Sequence, residues 1–126
     1  MQQIQSDPSV VLNRDNGIDL DSLSQGNDIS GLDLWSDSEK LTPGAQGVTL
    51  VSVAKNATAD SCLTAHNRIN GINLYDTYNG ISPTGSKYCV KTSDGNMAFM
   101  TLNGVEIGPT PAQSHSKWSI TVYQTP

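Results

Sequence analysis

Cys62 and Cys89 are the only two cysteines in this chain, and Asp19 and Asp21 are two carboxylates separated by Leu20. Each pair could do chemistry. Two cysteines can close a disulfide, here spanning 27 residues by sequence difference, or remain as two buried free thiols. Closing such a loop stabilises a fold by roughly 3.5 kcal/mol in the chain-entropy model. A polar, turn-rich composition resembles that of exported domains, where disulfides persist. On a strand, Asp19 and Asp21 share one face, about 7 Å apart at their Cα atoms. Two carboxylates can serve as acid and base in glycoside hydrolysis, or as oxygen ligands of a hard cation.

The calcium expectation draws in the neighbours Asp15 and Asn16, with Asp28 and Asp33 nearby. Eight of the twelve acidic residues fall within the first 39 positions, opposed only by Arg14. That segment carries a net charge of −7 and the remainder +2. The twelve-residue calcium loop with its fixed glycine and terminal glutamate is absent, so a site here would draw on separate loops. The competing expectation is a solvated acidic face with Asp15-Asn16-Gly17 as a turn, and no metal ligand is assigned.

Catalysis finds little support. His66 and His115 are the two histidines, and no Gly-x-Ser-x-Gly elbow or other local nucleophile motif accompanies them. A cysteine nucleophile fails if both thiols are paired. The expectation is a non-enzyme with no catalytic residues and no cofactor. The most suggestive ligand-binding stretch is Leu74-Tyr75-Asp76-Thr77-Tyr78-Asn79-Gly80. There Tyr75 and Tyr78 could offer rings to a sugar, and Asp76 and Asn79 could bond its hydroxyls. The alternative is that one tyrosine packs in the core and the other is ordinary surface. Trp35 and Trp118 are expected in the core, and the sequon Asn56-Ala57-Thr58 to be idle.

These residues need elements to position them. At 126 residues the chain is long enough to bury roughly 68% of its unfolded surface around one core. Residues 1–13 read as a polar lead-in, with Val10-Val11-Leu12 touching the core, and residues 14–126 as a single β domain. Gly17-Ile18-Asp19-Leu20-Asp21-Ser22 is echoed by Gly31-Leu32-Asp33-Leu34-Trp35-Ser36, two strand signals with alternate residues inward. Leu41–Gly47 reads as a loop, and Val48–Ala54 as a strand. Residues 57–67 are the one helix candidate, with Thr58 as N-cap and Cys62 on its inward face.

Lys87–Leu102 reads as a hairpin turning on Ser93-Asp94-Gly95-Asn96, because Asp-Gly tolerates the positive φ of a tight turn. Asn103-Gly104 is expected to form a second tight turn. Lys117–Tyr123 alternates cleanly, with Trp118, Ile120 and Val122 on one face. Seven or eight short strands and one short disulfide-linked helix predict an all-β antiparallel sandwich or barrel.

The succession of Gly17-Ile18-Asp19-Leu20-Asp21-Ser22, Tyr88-Cys89-Val90-Lys91-Thr92-Ser93-Asp94-Gly95-Asn96-Met97-Ala98 and Trp118-Ser119-Ile120-Thr121-Val122-Tyr123 resembles small secreted β domains of actinobacteria. Such domains occur in exported proteins of unknown role and in the extracytoplasmic part of some serine/threonine kinases. The likeness spans residues 17 to 124. It departs from the family pattern at Lys91, Asp94, Asn96 and Met97, where Arg, Glu, Arg and Tyr are usual. The resemblance implies an extracellular or cell-surface location and pairing of Cys62 with Cys89. It implies no enzymatic activity.

Charge narrows the partners. A net charge of −5 with seven scattered basic residues opposes nucleic acid, whose backbone needs clustered Lys and Arg. No run is apolar enough to span a membrane, and Met1 begins no signal peptide. If the domain is exported, its signal or anchor lies outside this chain. The expected function is a non-catalytic extracytoplasmic binding or sensing module for a cell-wall glycan, a small molecule or a protein. The alternatives are a secreted structural or interaction protein, such as an adhesin subunit or enzyme inhibitor, and, last, a small hydrolase. Oligomeric state stays open.

Overall fold

The computed structural model describes residues 1–27 and 32–125. Two antiparallel sheets pack face to face as a sandwich. Among the described residues eleven strands follow in chain order: β1 (Gln2–Asn13), β2 (Asn16–Asp19), β3 (Ser24–Gly26), β4 (Leu34–Ser36), β5 (Lys40–Pro43), β6 (Thr49–Val53), β7 (Arg68–Ile69), β8 (Ile72–Asn73), β9 (Lys87–Lys91), β10 (Met97–Glu106) and β11 (His115–Gln124). The six-stranded sheet runs β1-β11-β10-β9-β6-β7 and the five-stranded sheet β3-β2-β4-β5-β8. The all-β sandwich expectation holds. The strand count exceeds seven or eight because β3, β4, β7 and β8 are only two or three residues long.

Alternation builds the core. Trp118, Ile120 and Val122 of β11 point inward beside Ala98, Met100 and Leu102 of β10. Tyr88, Val90 and Leu50 continue the row across β9 and β6. Ile18, Leu20, Leu34, Leu41, Ile72 and Leu74 meet them from the other sheet side. The edge of one aromatic ring meets the face of another where Tyr88 and Trp118 sit 6.0 Å apart at 63°, a favoured aromatic geometry.

Four local readings are corrected. Residues 1–13 are not a lead-in, because β1 pairs with β11 from Gln2↔Gln124 to Asn13↔His115. β1 is an edge strand held by backbone hydrogen bonds; only Val10 and Leu12 are buried. Its polar side chains and Pro8, at a break in register, are what an unpaired sheet edge tolerates. Asn103-Gly104 makes no second turn: β10 runs through it with a register shift between Leu102 and Gly104. Leu41-Thr42-Pro43 is strand β5, with Pro43 at its end, opposite Leu34. Trp35 lies half-buried on the outer face of its sheet while Trp118 is fully buried.

The helix candidate shrinks to a single 3-10 turn, Ala59–Leu63, in which the Ser61 hydroxyl accepts a hydrogen bond from the Thr58 backbone N–H at 3.2 Å. Cys62 is its buried residue, and it is bonded to Cys89 of β9. The hairpin turn forms as read: Gly95 has φ of +85° and donates its N–H to the Thr92 carbonyl. Gly17 serves a close approach instead. A Cβ there would lie 2.8 Å from the Leu34 carbonyl oxygen and 2.9 Å from Trp35 Cε3. Gly31 and Asp28 lie outside the described residues.

Candidate functional site

The acidic residues converge more tightly than their sequence spacing requires. Oxygens of Asp19, Asp21 and Asp33 lie within 4.8 Å of one another. Asp19 and Asp21 are brought together as expected, but the third member is Asp33; Asp15 is an exposed turn residue with φ of +65°. Asp33 is wholly buried. One of its oxygens accepts the Leu20 backbone N–H at 2.7 Å and the other the Ser93 N–H at 2.9 Å. Asp21 Oδ1 accepts from the Thr92 hydroxyl and the Asn96 amide, each at 2.8 Å. Asp19 Oδ1 accepts the Asp21 N–H at 3.1 Å. These carboxylates thus tie the end of β2 to the tip of the β9–β10 hairpin, satisfying backbone donors that no strand ladder reaches.

Asp94, at the hairpin tip, feels this cluster. The negative charge of Asp21 holds its carboxyl above the usual range, with desolvation and a hydrogen bond to Asp21 adding to the effect, then the charges of Asp19 and Asp33.

The tyrosine loop divides. Tyr75 is 7% exposed and belongs to the core, whereas Tyr78 is 95% exposed. The two rings do not form one platform. Burial raises the Tyr75 phenol above its ordinary value, and the nearby hydroxyls of Ser36 and Ser116 and the charge of Arg14 partly offset this. Arg14 stands 5.5 Å over the ring centre. Among the described residues, no group is aligned to hydrogen-bond the Tyr75 hydroxyl. Asp76 organises a turn, accepting the backbone N–H groups of Tyr78 and Asn79 and the Asn79 side-chain amide. The Asn79 amide in particular lowers its pKa. Asp76 and Asn79 thus spend polar atoms on each other, and Tyr78 stands free beside them.

His115 pairs with Glu106 at 3.3 Å, and Lys117 with the same glutamate at 2.7 Å. Hydrogen bonding from Lys117, and then the charges of Lys117 and His115, lower the Glu106 carboxyl. His66 Nδ1 lies 3.0 Å from the Thr64 carbonyl. Both thiols are consumed by the Cys62–Cys89 bond.

A further candidate is a place that sequence reading did not single out. On the outer face of the six-stranded sheet, the Cys62–Cys89 bond holds the 3-10 turn over β9, with Cα atoms 5.5 Å apart. Beside the bond lies a cavity of about 370 Å³. Val51, Cys89 and Met97 line it with apolar surface, and His66, Arg68 and Lys91 contribute polar heads. A second cavity of about 430 Å³, lined by Ser52, Asn56, Ser61 and Asn67 together with Val53, Ala54 and Ala57, shares Ala65 and His66 with the first. Both volumes are in the range that holds small ligands.

Register explains how the first cavity is assembled. Arg68 lies opposite Val51, Val51 opposite Cys89, and Thr49 opposite Lys91. Met97 lies opposite Lys91 on the other side. Side chains directly opposite share a face, so one outward face collects residues from four strands. Their neighbours Leu50, Val90 and Ala98 turn to the core. The alternation of Lys87, Cys89 and Lys91, its hairpin partner and the strand at Val48–Ala54 are visible in sequence, but the pairing of β9 with β6 and of β6 with β7 is not. In comparisons with protein-family models, curated proteins and solved structures, none matches this chain.

Proposed function

We propose that this chain is a non-catalytic extracytoplasmic binding or sensing module, and that its ligand sits in the groove beside the Cys62–Cys89 bond. The observation that carries the reading is the cavity of about 370 Å³ on an outer sheet face, roofed in part by a turn that is bonded covalently to its floor. Such bracing keeps a site preformed and lessens the ordering that binding must bring about. The disulfide supports placement in an oxidising compartment, in keeping with the likeness to secreted and kinase-linked actinobacterial β domains. The groove combines apolar walls with a few polar heads, the usual make-up of a small-ligand site.

The experiment is an amide chemical-shift screen of isotope-labelled protein against soluble cell-wall glycan fragments and a library of small molecules. Saturable shifts grouped at Val51, Arg68, Lys91 and Met97 are expected. Saturable shifts confined to the loop around Tyr78, or none from any compound, would overturn the groove as the binding site.

A further inference from the structure

We propose that the groove selects ligands carrying a carboxylate, held between Arg68 and Lys91 with the ligand body against Val51, Met97 and the disulfide. The inference rests on the groove being the binding site and adds the chemical class of what it takes.

Charge distribution is the first support. The chain has twelve acids against seven bases, yet no acid lines this cavity. Two of those seven bases do. Among the described residues, neither Arg68 nor Lys91 makes an ion pair, and the two ion pairs present both use Glu106. A pair of cations left without carboxylates on an acidic protein makes a local positive field that attracts anions to this place and repels them elsewhere.

Geometry is the second support. Arg68 and Lys91 lie two strands apart and two residues out of step along the sheet, so their Cα atoms are separated by about 12 Å from ordinary strand spacings. Two long side chains rising from one face at that spacing can lean over the same ligand. A guanidinium offers a planar fork of donors that matches a carboxylate, and an ammonium offers a compact second charge. Between them lie Val51, the sulfur atoms of the disulfide and the single hydroxyl of Thr49, and Met97 adds apolar surface on the far side of Lys91. An inorganic anion would leave that apolar surface unused. An organic acid uses both parts. Two sources share this chemistry, an aromatic or aliphatic acid and a uronic sugar, and the adjoining cavity presents both apolar side chains and the polar groups of Ser52, Asn56, Ser61 and Asn67.

The test is a titration of isotope-labelled protein at low salt with two matched pairs of probes, benzoate against benzamide and glucuronate against glucose. At least one acid is expected to give saturable shifts at Val51, Arg68, Lys91 and Met97, with at least tenfold weaker binding by its neutral partner. Benzoate responding alone assigns the carboxylate to an apolar acid, and glucuronate responding alone assigns it to a glycan. The double variant Arg68→Gln/Lys91→Gln should weaken the acid tenfold or more while leaving amide signals of β1 and β11 unmoved, which shows that the fold is retained. Neutral and acidic probes binding here with equal strength would overturn the carboxylate preference and leave the groove itself as the site. Acid-induced shifts that persist unchanged in the double variant, or no saturable shift at these residues with any probe, would overturn the proposal.

Discussion

Asp33, wholly buried before β4, accepts a hydrogen bond at 2.9 Å from the backbone N–H of Ser93, 60 residues further along the chain. Its other oxygen takes the Leu20 N–H at 2.7 Å. One side chain therefore joins the five-stranded sheet to the hairpin of the six-stranded sheet. Asp33→Ala leaves two donors without their acceptor and is expected to cost about 3 kcal/mol, since each unsatisfied buried group costs about 1–3 kcal/mol. Urea unfolding measures it. A loss below about 1 kcal/mol, within ordinary single-mutation scatter, would mean that water replaces the carboxylate.

Asp94 supplies a pH-dependent prediction. Its carboxyl is raised chiefly by the charge of Asp21, so the folded state holds this proton more firmly than the unfolded chain. The resulting stabilisation is fully present below the unfolded value and is lost as pH rises through the folded one. At neutral pH Asp94 is ionised and repels Asp21, Asp19 and Asp33. Asp94→Asn should therefore raise Tm at pH 7, with the gain fading toward about pH 3, where the wild-type carboxyl is itself protonated. A lower Tm at pH 7 would show that the carboxylate makes a favourable contact.

The disulfide closes a loop with a sequence separation of 27. Replacing both Cys62 and Cys89 by Ser should lower stability by about 3.5 kcal/mol from chain entropy. It should also free the 3-10 turn from β9, broadening or shifting the amide signals of residues 59–67 more than those of β11. Unchanged signals there would mean that packing alone holds the turn.

Tyr75 makes the opposite prediction from Asp33. Its hydroxyl is buried, and no group among the described residues is aligned to bond it. Tyr75→Phe keeps the ring and the Arg14 stacking while removing a desolvated oxygen, and a gain of up to about 1 kcal/mol is expected. Destabilisation beyond about 1 kcal/mol would reveal a hydrogen bond to the hydroxyl.

The alternation of Trp118, Ile120 and Val122, the turn at Asp94-Gly95, and the inward set of Ile18 and Leu20 were all legible in the sequence. Each is local: period-two side-chain placement and the φ of one glycine depend on neighbouring residues alone. The class of fold follows from such signals, whereas the pairing of Cys62 with Cys89 was one of two readings the residues left open. Strand β1 was not legible, because an edge strand is held by backbone bonds to β11 and carries little apolar pattern. Nor was the bulge at Asn103-Gly104, where a turn-forming pair is carried through by ladders on either side. Above all, tertiary structure decided which residues meet. Asp33 joins Asp19 and Asp21, and Arg68 and Lys91 line one cavity, only through the order β9-β6-β7 and the packing of one sheet on the other. Those contacts are long-range, and their register is set by burying all the inward faces at once, a condition that no short stretch of sequence contains.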